Sequence, residues 1–343
     1  MKRNYTADLI KFIASFFVIC IHTKTTSAID GFTTTSFSYI TDTITHFAVP
    51  FFFAASGFFI DFERTQKLIK KSFQIILIYL LWSAIFIMIR DLNNFSYPIF
   101  YFSAHAETNN NVNILYKLLV YGYERHLWFF TAYLLGLFLV YLLRKRLGIL
   151  VLLASILYLI GLSGHQWSFI YPQQVSFLNI PTSEWLRQTH LTRSGLFIGF
   201  PLMALGHIIR TRKYQLRMSQ PIALILLVAL FFIQYIEAVW VRTNFSDVLA
   251  ESYITTIPIV IVLLLFAQKN NTIGQALQPI TRLSGGIYLI HPLFMYLILI
   301  LKTEVFSYSW WGYAFTPLLF LLSIVSAYLL SKNKWLSKLI FVT

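Results

Sequence analysis

The sequence predicts an all-α integral membrane protein, a bundle of about ten transmembrane helices with both termini in the cytoplasm. Three observations carry this expectation. Of the 343 residues, 57% are hydrophobic and only 12% are charged, about half the charged share of a soluble domain. Long apolar windows recur from end to end, and most reach the length that crosses a hydrocarbon core. Basic residues fall mainly in alternate intervals between those windows, the asymmetry expected of cytoplasmic loops.

The ten windows run over about 8–27, 44–62, 73–91, 126–143, 147–163, 192–209, 220–238, 251–268, 283–301 and 309–331. The fifth is short and the eighth begins in polar residues. With the N-terminus inside, the inner segments carry Lys2 and Arg3, then Arg64, Lys67, Lys70 and Lys71, then Arg144, Lys145 and Arg146. Arg210, Arg212, Lys213, Arg217, Lys269, Arg282, Lys332, Lys334 and Lys338 complete the set, 18 of the 27 basic residues. That bias orients the bundle.

The net charge of +14 needs no nucleic acid to explain it, because short basic loops beside helices attract anionic lipid headgroups of the bilayer. No nucleic-acid-binding motif is present. The single cysteine, Cys20, excludes an internal disulfide and a cysteine metal cluster. The first window has a basic start, but it contains Asp8, Lys11 and His22 and lacks a small-residue cleavage site, so it is expected to stay as a span. The two longest polar stretches, about 93–125 and 164–191, both fall outside. Trp167, Tyr171, Trp185 and His190 in the second serve either as interfacial anchors or as a lid or acceptor groove. The expectation is one domain over 1–343, with no visible internal repeat.

The chemistry-bearing residues begin in the first window. Lys11 and His22 are eleven residues apart, nearly whole helical turns, so they share one face about 16 Å apart along the axis. Asp8 and Ser15 lie near the same stripe. Ionisable groups are costly in hydrocarbon, so this stripe should face protein or a wet cavity. His22 suits proton abstraction near neutral pH; its structural alternative is a hydrogen bond to a neighbouring helix. Lys11 would supply charge to an anionic donor, or else snorkel and pair with Asp8 at i and i+3.

In the second window Pro50 should loosen the helix, while Ser56 and Gly57 permit close approach of a helix or ligand. Lys67, Lys70 and Lys71 recur at helical spacing and form either ordinary inner charge or a phosphate-docking patch. His126 stands in an aromatic-basic segment at the outer start of the fourth window. Arg193 opens the sixth, placed to snorkel or to bind an oxyanion. In the ninth, Tyr288 and His291 precede Pro292, which should free a backbone carbonyl beside the histidine. No HExxH, GxSxG or phosphate-loop pattern occurs, and no metal is assigned.

In this order the segments resemble the membrane acyltransferase 3 family. The resemblance rests on Lys11 and His22 as a basic-x10-His pattern preceded by Asp8, VPFFFAASGFFI around Ser56, and the basic segment followed by Trp82. It continues through HLWFF at 126–130, TRSGLFIGFPLMALGHII at 192–209 and SGGIYLIHP at 284–292. The resemblance implies O-acyl transfer, usually acetyl, from cytoplasmic acetyl-CoA or another acyl-CoA to a hydroxyl of a carbohydrate or lipid-linked sugar. It implies His22 as the catalytic histidine and a multi-pass protein of a bacterial plasma membrane. Lys11 stands where many members have arginine, so charge is kept and the planar fork is lost. Lys11, Lys67, Lys70 and Lys71 would hold the donor's phosphates. Ser56, His126, Arg193, Tyr288 and His291 remain site or acceptor-side candidates. The sequence ends soon after the last window, so neither an outer esterase-like domain nor a racemase domain is expected. The alternative is a transporter or binding module for a small polar solute such as serine. The membrane part of vancomycin-resistance serine racemases resembles the same family and is linked to serine uptake.

Overall fold

The computed structural model describes residues 3–27, 43–92, 122, 124, 126–163, 167, 194–212, 219–244, 253–301 and 311–341. Among these residues all regular structure is helical. The main helices are α1 (Tyr5–Ser27), α2 (Ala48–Phe59), α3 (Thr65–Leu92), α4 (Trp128–Leu143), α5 (Leu147–Ser163), α6 (Phe200–Thr211), α7 (Gln220–Asn244), α8 (Thr256–Lys269), α9 (Ser284–Leu301) and α10 (Trp311–Lys332). Each apolar window overlaps one of them. Four stretches, Tyr5–Thr23, Thr65–Ile89, Gln220–Val241 and Ala314–Lys332, have the length and hydropathy to cross a membrane. Outward faces are apolar: Phe73, Leu77 and Leu80 on α3, Leu224, Ile225 and Val228 on α7, and Leu321 and Leu329 on α10 are exposed. Helices that are apolar all round fit a hydrocarbon solvent, not water.

The contacts divide the chain into two compact units. The first comprises Pro50–Ile69 and His105–Lys269. Its packing rests on glycines that bring backbones together. A Cβ at Gly57 would stand 1.8 Å from the Met203 carbonyl oxygen, and one at Gly206 would stand 1.9 Å from that of Ala54. Those two glycines let α2 and α6 touch main chain to main chain. Gly195 and Gly199 do the same against Ala132 on α4. The approach to α6 is a π turn over Gly195–Gly199, capped by the Ser194 hydroxyl, which accepts from the Leu196 N–H at 3.3 Å. Pro201 explains this widening: it has no N–H for the Phe197 carbonyl, so the regular ladder cannot run through. Arg210 donates to the carbonyls of Phe58 and Ile60 and so closes the C-terminus of α2. At the start of α8, the Glu237 carboxylate accepts from the Ile254 N–H at 3.1 Å and from the Trp167 indole at 3.0 Å.

The second unit comprises Lys2–Val49, Lys70–Ala104 and Asn270–Thr343. Asn4 begins α1 by accepting from the Ala7 N–H at 2.8 Å, as an N-cap asparagine does. The Tyr5 N–H donates to Asn271 O at 2.9 Å, and the Thr6 hydroxyl donates to the carbonyls of Asn270 and Ile273. The turn that offers these carbonyls needs Gly274, whose φ is 84°. Along α1, Phe12 and Phe16 lie against Phe320 of α10, with centroids 5.3 and 5.0 Å apart. After α10 a short 3-10 turn, Leu336–Leu339, brings the chain back to α3. There the Trp82 indole donates to Leu339 O and the Gln74 amide to Phe341 O, both at 2.9 Å. The Phe341 ring fills the space that a Cβ on Gly286 would take. Trp82→Phe keeps an aromatic six-membered ring but removes the fused pyrrole with its N–H, so the lost bond and the space left should together cost about 2 kcal/mol, read as a lowered thermal midpoint in detergent.

Candidate functional site

The second unit builds the site from α1 upward. Lys11 and His22 lie on one uninterrupted helix, which places them on one face as their spacing predicts. The Lys11 side chain is 25% exposed, and its Nζ stands 4.0 Å from Asp8 Oδ1. The nearer basic partner of Asp8 is Arg3, with Nε 2.7 Å from Oδ2. Asp8 therefore holds Lys11 only loosely, and the expected i, i+3 pair is shared with a residue that precedes the helix. Lys71 also acts on Lys11 electrostatically, so a second cation stands near the first. Ser15, fully buried, donates to the Phe12 carbonyl at 2.7 Å within its own helix.

At the other end of the stripe, α9 and α10 close on α1. The half-buried His22 ring lies 5.2 Å from the ring of His291, tilted by 37°. The adjacent Thr23 hydroxyl meets that of Thr316 at 2.6 Å and sits 3.0 Å from the Ile19 carbonyl, to which it can donate. His291 itself is completely buried, and the Tyr288 ring lies 6.0 Å from it. Pro292 lies inside α9 and offers no N–H to the carbonyl four residues back, which is that of Tyr288. The Tyr288 and Ile287 carbonyls are the polar neighbours of the His291 ring on its own helix.

The remaining candidates are distributed as follows. Lys70 and Lys71 lie in the opening turns of α3 in this same unit, Lys70 exposed and Lys71 half-buried. Lys67, exposed, belongs to the first unit. So do Ser56 and His126. The Ser56 hydroxyl donates to the Phe52 carbonyl at 2.8 Å, a bond within its own helix. His126 is buried in the turn that leads into α4, where Gly122 takes a φ of 73°. Arg193 lies outside the described residues. Among the described residues no three His, Cys, Asp or Glu side chains converge as a metal cage.

Sequence reasoning named His22 and His291 separately and missed their encounter. The two residues lie on the first and ninth apolar windows, and no spacing rule links them. The one available signal was a histidine followed by proline in the middle of an apolar window. Chemically, the second unit provides a half-buried imidazole backed by a second one, with the Lys11 cation about three helical turns away on the same face of α1. That arrangement suits a base that meets the reactive end of a long anionic molecule.

Comparison with known proteins gives the family. The model of an acyltransferase domain, that of the acyltransferase 3 family, matches residues 4–332 and so runs through both units. Among curated proteins, an amino-acid racemase of Enterococcus faecalis is 26% identical over 302 residues, 85% of this chain and 41% of that protein. A second amino-acid racemase of Enterococcus faecalis is 30% identical over 234 residues, covering 66% of this chain and 30% of that protein. A serine/alanine racemase of Enterococcus gallinarum is 28% identical over 307 residues, covering 84% and 40%. The chain thus spans well under half the length of these relatives. No solved structure matches it. With the family model covering nearly the whole sequence, the chain belongs to the acyltransferase 3 family of membrane proteins.

Proposed function

We propose that this protein is a single-domain membrane O-acyltransferase over 1–343 whose ten helices all cross the plasma membrane of a bacterial cell, both termini inside. It moves an acyl group, most simply acetyl, from cytoplasmic acyl-CoA to a hydroxyl of a cell-surface carbohydrate or lipid-linked sugar. The observation that carries this reading is the α1 stripe, with Lys11 beside the charge of Lys71 at one end and His22 against His291 at the other. The donor's phosphates dock at Lys11, Lys70 and Lys71, and the pantetheine arm follows α1 toward His22; Lys67, three residues before Lys70 in sequence, is a further candidate for a phosphate.

His22 takes the proton of the acceptor hydroxyl as its oxygen attacks the thioester carbonyl. The C–O bond forms, the C–S bond breaks, and the proton passes from the imidazolium to the departing thiolate, giving ester and free CoA. The Tyr288 hydroxyl donates to the developing oxyanion. Arg193, Ser56 and His126 serve the acceptor side. No metal takes part in this scheme.

Acyl-CoA carries several anionic oxygens, so losing one lysine weakens binding more than chemistry. Lys11→Ala should raise KM for acetyl-CoA about tenfold, the scale of one charge-assisted hydrogen bond, with kcat nearly kept. Lys11→Arg should restore most of it. Steady-state kinetics in detergent read both.

A second reading has one observation in its favour. The relatives are named racemases, one of them for serine and alanine, so this domain would instead carry or bind a small amino acid. Reconstituted vesicles separate the two. With acetyl-CoA on the Lys11 side and membrane glycolipids as acceptors, the transferase releases CoA only when the acceptor is present. Uptake of labelled serine with no thioester consumed would replace the first reading with the second.

A further inference from the structure

We infer that His291 is a positioning residue for His22, held in place by its burial beside the Tyr288 carbonyl that Pro292 leaves without its helical N–H donor. This rests on the reading of His22 as the base. The His291 ring is wholly buried, so packing rather than solvent fixes its orientation. A helix without proline would engage the Tyr288 carbonyl with the N–H four residues on. Position 292 has no such N–H, and the Tyr288 and Ile287 carbonyls are left beside the imidazole. His22 stands against the same ring, with centroids 5.2 Å apart and planes tilted by 37°.

His22 itself is only half-buried, and the next residue, Thr23, is tied to Thr316. Its backbone is therefore fixed, while its ring needs a wall to stop rotation about the Cβ–Cγ bond. His291 supplies that wall. Among the described residues, His22 from α1 and Tyr288 from its own helix are titratable side chains in ring contact with His291. A base must aim its nitrogen at the acceptor hydroxyl within hydrogen-bond reach, and small misplacements lower the rate strongly. A histidine before proline in α9 is thus a device for aim, with no contact to the substrate required.

The test is a set of variants assayed for acceptor-dependent CoA release together with thermal unfolding in detergent. His291→Ala should lower kcat at least tenfold with KM for acetyl-CoA unchanged, and His291→Asn should recover part of the loss. Pro292→Ala, which lets the helix capture the Tyr288 carbonyl, should lower kcat while the melting midpoint stays the same or rises. A purely structural proline or histidine would move midpoint and activity together. In a His22→Ala background, His291→Ala should have no further effect, because it acts only through that ring. If His22→Ala is inactive while His291→Ala and Pro292→Ala both turn over as wild type, the positioning role is wrong and the base assignment stands. If His22→Ala itself keeps full activity, the base assignment fails first and the positioning role goes with it.

Discussion

His22→Ala should abolish acceptor-dependent release of CoA in a protein that still inserts and melts as the wild type does. The expected loss is about 10²- to 10⁴-fold, the range over which a positioned proton acceptor contributes. Folding should survive because the neighbouring anchors of α1 do not depend on the imidazole. Phe12 and Phe16 keep their contacts with Phe320, and Thr23 keeps Thr316. The half-buried ring leaves a small space when truncated, unlike a fully packed core residue. Size-exclusion of the purified variant verifies the fold, and acceptor-dependent release of the CoA thiol measures the chemistry. A well-folded variant with undiminished turnover would remove His22 from the mechanism.

Gly57→Ala and Gly206→Ala should each destabilise the protein severely, by about 3 kcal/mol or more, at or beyond the upper end of overpacking costs. The first methyl would lie 1.8 Å from the Met203 carbonyl oxygen and the second 1.9 Å from that of Ala54. Both obstacles are backbone, so no rotamer change relieves them, and α2 and α6 must move apart. That separation also opens the Arg210 bonds to the Phe58 and Ile60 carbonyls at the end of α2. Gly148 in α5 is the control, since a Cβ there meets nothing within 4 Å. Gly148→Ala should be neutral or mildly stabilising, as alanine for glycine is in an unobstructed helix. Melting followed by fluorescence-detected size-exclusion separates the three variants. Wild-type melting of Gly57→Ala would show that the two backbones do not touch.

The helices were legible in the sequence because a chain solvated by hydrocarbon must present apolar residues on every side, and hydropathy alone then marks each one. Residues 8–27 and 309–331, for example, became Tyr5–Ser27 and Trp311–Lys332. Starts were less legible where chemistry is local. The sixth window opens in a π turn because of Pro201, and the eighth is polar until its helix begins at Thr256. Lys11 and His22 could be put on one face by counting turns. Their partners could not, because hydropathy says nothing about which helix lies beside which. The His291 ring on α9, the Thr316 hydroxyl on α10, the Met203 carbonyl opposite Gly57 and the return of Phe341 to Gly286 are all contacts between distant segments. The Asp8–Lys11 pair was legible from its i, i+3 spacing, but Arg3, which precedes the helix and reaches the same carboxylate more closely, was not.

A cryo-electron-microscopy structure with a non-hydrolysable acyl-CoA bound tests the central claim most directly. Acyl transfer at His22 requires the thioester carbon to stand beside that imidazole, with the phosphates among Lys11, Lys70 and Lys71. A donor seated elsewhere, its sulfur remote from His22 and its phosphates away from these lysines, would contradict the account.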